Sequence, residues 1–80
     1  MTTGTGIDVS KAFLDVAMSD GARWRVVNRL AGWREVARRL TGLNVRVVVE
    51  ATGGYEQGIL DHLAECGYRV FRVNARQARD

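Results

Sequence analysis

Val45-Arg46-Val47-Val48-Val49-Glu50 is apolar at nearly every position before it ends in an acid. A strand that reads this way, rather than alternating, suits the interior of a sheet covered on both faces. Helices supply such cover, and helical spacing occurs on either side of the run. Trp33, Val36, Ala37 and Leu40 fall at i, i+3, i+4 and i+7, with Arg34, Arg38 and Arg39 outside the stripe. Gly42 is placed to close that helix. Beyond the run, Thr52-Gly53-Gly54 opens a second helix that turns Ile59, Leu60, Leu63 and Ala64 inward and ends at Gly67.

The first third of the chain has a different period. Gly4-Thr5-Gly6 leads into a strand ending near Val9, and Leu14, Val16 and Met18 alternate with Asp15 and Ala17. Ser19-Asp20-Gly21 is a turn signal, and Arg23 to Asn28 form a third strand with Trp24 and Val26 on one face. Short turns make these three strands antiparallel neighbours. Tyr68 to Val73 form a fifth strand, after which Asn74 can cap a third helix from Ala75. The expected order is βββαβαβ(α), an α/β fold with a mixed five-stranded sheet and Val45–Val49 central. About two turns of uncapped helix are marginal, so residues 1–80 read as the truncated N-terminal part of a longer protein.

Composition narrows the class. Eighty residues with 46% apolar content make one small folding domain rather than a disordered segment. No apolar run approaches the roughly 20 residues of a membrane span, and no signal segment opens the chain. The expectation is a cytoplasmic protein without a membrane partner. A single cysteine, Cys66, allows no internal disulfide and reads as a small residue on a helix face. The net charge is +3, and of the 12 basic residues all but Lys11 are arginine, whose planar fork suits phosphate.

Asp8 and Glu50 stand at the ends of the first and fourth strands. A carboxylate at the edge of a buried strand is costly unless something pairs with it. Two such acids are what a divalent cation would hold together, and Mg²⁺ prefers carboxylate oxygen while keeping some of its waters. Ser10 and Lys11 follow the first acid where a phosphate could approach, or they form a plain hairpin turn. Thr52 and Gly53 precede a helix N-terminus, which binds anions or only needs a tight turn there. Glu56 could reach the metal region. Asp15 reads as solvated, Trp24 and Trp33 as core, and His62 has no partner at zinc spacing. Arg76 and Arg79 could join Lys11 against a phosphate backbone, with Arg34, Arg38 and Arg39 as second choice.

Three antiparallel strands followed by strand–helix alternation is the layout of the ribonuclease H-like fold, and Asp8 and Glu50 fall where that fold carries two metal-binding acids. Gly6-Ile7-Asp8-Val9-Ser10-Lys11, Leu14-Asp15-Val16-Ala17, Val49-Glu50-Ala51-Thr52-Gly53-Gly54-Tyr55-Glu56 and Val73-Asn74-Ala75-Arg76-Gln77 together resemble the DEDD-type insertion-sequence transposases related to the Piv invertases. The resemblance spans essentially the whole chain, and Glu-Ala-Thr-Gly-Gly-Tyr is its most specific stretch. It implies an N-terminal RuvC-like domain, Mg²⁺-dependent DNA strand cleavage and joining during transposition, and a structured guide RNA and a homo-oligomer of the full-length protein as partners. Asp8 and Glu50 take the first and second of the family's four acids. The other two lie in an Asp-x-x-Asp segment that these 80 residues do not contain, so the isolated chain is expected to be inactive. A nucleotide-binding module of the actin and sugar-kinase type starts with a similar unit, but carries a Gly-Thr or Gly-Ser phosphate turn where Val9-Ser10-Lys11 stands here. A folded fragment with no chemistry of its own is the third alternative.

Overall fold

Alternation along each strand sorts the side chains into two faces, and that division organises the molecule. The computed structural model describes residues 3–51 and 53–74. The elements are β1 (Thr3–Val9), β2 (Phe13–Met18), β3 (Arg23–Val27), α1 (Leu30–Leu40), β4 (Val45–Ala51), α2 (Gln57–Glu65) and β5 (Arg69–Asn74). They build an α/β fold with one mixed sheet in the order β3-β2-β1-β4-β5. The two hairpins pair β1–β2 and β2–β3 antiparallel. The helix-linked strands pair β1–β4 and β4–β5 parallel.

Both helices pack on one face of this sheet. Ile7, Val9, Leu14, Val16, Val45, Val47 and Val49 point to that face and are buried against Val36 and Leu40 of α1 and Ile59 and Leu63 of α2. Full burial of each such side chain contributes about 1.5–3 kcal/mol. Trp24 and Trp33 pack against the same core, as their sequence positions imply. His62 is half-buried, with its ring centroid 6.4 Å from that of Trp33. Cys66 is exposed at the C-terminal cap of α2 and fills no helix face.

The expectation for Val45–Val49 holds in part. β4 is interior, between β1 and β5, but the middle strand is β1. Nor is β4 covered on both sides, because Arg46, Val48 and Glu50 turn to a face on which no described element packs. Val48 is half-buried there, between its register partners Gly6 and Phe71. The apolar run thus has one helix-covered side and one side with a lone valine.

Two close approaches fix how the helices sit. The corner between β3 and α1 brings the Val27 carbonyl onto Gly32, where a Cβ would lie 1.7 Å from that oxygen. On α2, a Cβ at Gly58 would lie 2.1 Å from the Trp33 indole. In an exposed helix, alanine for glycine gains about 1 kcal/mol. Here Gly32→Ala and Gly58→Ala should instead destabilise, each by about 1–3 kcal/mol. A urea midpoint equal to or above that of the parent for either variant would contradict this packing.

Candidate active site

The ladder between β1 and β4 sets Asp8 beside Glu50, and the β1–β2 ladder sets Asp8 beside Asp15. Arg25 lies opposite Asp15 on β3. One row across the sheet therefore reads Arg25, Asp15, Asp8, Glu50, with neighbouring strands about 4.8 Å apart. All four side chains are exposed on the uncovered face. They line an open trough of about 660 Å³ together with Gly6, Ala17, Arg23 and Val48.

Within that row the acids have different partners. The Arg25 guanidinium grips Asp15 through two bonds, Nε to Oδ1 at 2.7 Å and the second nitrogen to Oδ2 at 3.2 Å. It also lies over the Phe13 ring, 4.7 Å from the centroid. The sequence reading of Asp15 as a merely solvated carboxylate is thus replaced by an exposed ion pair. Among the described residues, no three His, Cys, Asp or Glu side chains form a group suited to a metal. Asp8 and Glu50 remain as a pair of hard oxygen donors on adjacent strands. That set fits Mg²⁺, which commonly takes one or two carboxylates and completes its shell with water and phosphate.

The other sequence candidates divide. Lys11 is exposed in the β1–β2 turn, near the end of β1. The Ser10 hydroxyl is engaged in that turn, donating to the Phe13 carbonyl at 3.1 Å and accepting from the Phe13 amide at 3.2 Å, which favours the hairpin reading. Gly53 lies under the Tyr55 ring, so close that a Cβ would sit 2.9 Å from it. Thr52, Arg76 and Arg79 lie outside the described residues. Glu56 does not reach the acid pair. It is buried toward the helix layer, where Arg72 donates to its Oε2 at 3.1 Å, and Arg72 shares a register row with the core residue Val49.

Arg38 and Arg39 both pair with Glu35 and hold its carboxyl down at about 2. Arg39 also covers Trp24 at 4.4 Å. These arginines belong to the helix layer, on the far side of the sheet from Asp8 and Glu50. The arginines that share the acids' face are Arg23 and Arg25 on β3, Arg46 on β4 and Arg69 on β5. Arg23 and Arg25 escaped the sequence reading, although pairing strands outward from the Ser19–Gly21 turn sets Arg25 opposite Asp15.

No protein-family model matches this chain, and a search of curated proteins finds none similar to it.

The bond from Arg25 holds the Asp15 carboxyl below its ordinary value, with the guanidinium's charge acting the same way. A lowered folded-state value makes the pair's contribution present above the unfolded carboxylate range and lost as pH falls through the folded value. Carboxyl-carbon NMR titration should therefore give Asp15 a midpoint below 3.8, and Arg25→Gln should return it to about that value. An unchanged midpoint in Arg25→Gln would show that the ion pair does not form in solution.

Proposed function

We propose that the chain is the N-terminal part of a RuvC-like, ribonuclease H-like catalytic domain of a DEDD-type insertion-sequence transposase. In this reading Asp8 and Glu50 are two of four acids that hold Mg²⁺ for DNA strand cleavage and joining. The observation that carries it is the register: Asp8 and Glu50 are direct partners in the β1–β4 ladder, and both are exposed on one face. The strand order β3-β2-β1-β4-β5, with three antiparallel strands feeding a helix-linked parallel half, supports the same fold. Mg²⁺ bound there would neutralise charge on phosphate oxygens during in-line displacement. Asp8 and Glu50 supply the oxygens, and Lys11 and Arg23 supply positive charge beside them for a DNA backbone. A structured guide RNA and a homo-oligomer of the full-length protein belong to the same reading. The engagement of Ser10 within its own turn speaks against the nucleotide-binding alternative, which needs that turn for phosphate.

Manganese titration of the ¹⁵N-labelled chain tests the metal site. Mn²⁺ should broaden amides around Asp8 and Glu50 first, with weak affinity because charged ligands are few. Asp8→Asn or Glu50→Gln should weaken binding by at least about ten-fold, no less than loss of an outer-shell partner costs. Broadening spread evenly over the acidic residues would remove the metal reading. The 80-residue chain should not cleave DNA, and robust cleavage abolished by Asp8→Ala would show that these residues need no further acids.

DNA affinity gives a separate check. Binding should be weak, independent of sequence and steeply salt-dependent, as phosphate contacts require. Lys11→Ala and Arg23→Ala should each weaken duplex and branched DNA alike and flatten the log–log salt slope by about 1. The α1 variant Arg34→Ala should leave it unchanged. The opposite pattern would move the nucleic-acid surface to the helix layer.

A further inference from the structure

The chain segments that leave Asp8 and Glu50 are tied together by one side chain. The β1–β4 ladder ends at Val9 and Ala51, and past that point backbone pairing no longer joins the two strands. Asn28, at the corner between β3 and α1, takes over. Its amide nitrogen donates to the Ser10 carbonyl at 2.9 Å and to the Tyr55 carbonyl at 3.0 Å. Ser10 lies two residues beyond Asp8, and Tyr55 five beyond Glu50.

Two carbonyl oxygens cannot pair with each other. A primary amide bridges them because its nitrogen carries two hydrogens, one for each acceptor. The rest of Asn28 holds that amide in place. Its Oδ1 accepts from the Trp33 indole N–H at 2.9 Å, and its backbone N–H donates to the Ala12 carbonyl at 2.9 Å. Flipping the amide would set its oxygen against two carbonyls and its NH₂ against the indole N–H, so the network admits one orientation. Trp33 is itself held against Gly58 of α2. The bridge therefore couples both helices to both strand exits.

We propose that Asn28 is a positioning residue that sets the gap between the exits of β1 and β4, and with it the separation of Asp8 and Glu50 just before those exits. The link to a metal site rests on the function proposed above; the bridge between the exits does not. Asn28→Asp keeps the shape and the acceptor for Trp33 but turns an acceptor toward the two carbonyls. Asn28→Ala removes the bridge without adding charge, and serves should the aspartate variant not fold. Val70→Ala, in β5 and packed on the core away from this corner, is the control for general loss of stability.

The experiment reads ¹⁵N relaxation dispersion and the Mn²⁺ midpoint in each variant of the 80-residue chain. Either Asn28 variant should bring microsecond-to-millisecond exchange to residues 10–12 and 53–55 together, and should weaken Mn²⁺ at Asp8 and Glu50 about ten-fold. Val70→Ala should do neither. Exchange confined to one of the two segments, equal exchange in Val70→Ala, or open segments with an unchanged Mn²⁺ midpoint would each overturn the positioning role. Failure of the parent chain to bind Mn²⁺ would remove the metal reading and Asn28's service to it, while the relaxation data still decide whether Asn28 joins the two exits.

Discussion

The parallel ladder between β1 and β4 governs the rest. It is the seam between a locally connected meander and a helix-linked half, and it runs from Thr3 opposite Val45 to Val9 opposite Ala51. Slipping it by one residue would turn Asp8 into the helix layer and Ile7 out to water. Burial of Ile7 and Val9 beside Val47 and Val49 prevents that slip. Like charges side by side in a sheet are unfavourable, so the acid pair does not hold itself together. The core on the opposite face imposes it.

The electrostatics divide along the same plane. On the helix side, Glu35 takes up Arg38 and Arg39, and Glu56 takes up Arg72. On the open side, Asp15 takes up Arg25 while Asp8 and Glu50 remain as neighbours. A net charge of +3 says little by itself; its distribution matters, because arginines share the open face with the acids and others are bound within the helix layer. Arg46 lies 5.7 Å from the Phe71 ring centroid on that face, as Arg25 does at 4.7 Å from Phe13, so the aromatic rings there carry cations rather than standing bare.

Much of this was legible in the residue order, for reasons that can be named. Period-two runs in Leu14–Met18 and Arg23–Val27, the helical stripe through Trp33 and Leu40, and acids at two strand ends are local signals, and the elements formed where they pointed. What escaped was relational. The apolar run at Val45–Val49 suggested two covered faces, because a sequence shows that Val48 is apolar but not that no described element packs over it. Glu56 lies on the apolar stripe of its helix, but which face of the sheet that stripe meets is decided by packing. Asn28 resembles any polar residue between a strand and a helix, and its three side-chain partners come from segments as much as 27 positions away.

The uncovered face has one further consequence. Every described residue of the core cluster belongs to the helix-covered side, while outward positions such as Gly4, Gly6, Ala17 and Arg46 alternate with it along the same strands. A Cβ added at Gly4 or Gly6 would meet nothing within 4 Å. Side chains can therefore be added at Gly4 and Gly6 without meeting the packing that makes the chain fold. In evolutionary terms the sheet is a stable back with an editable front.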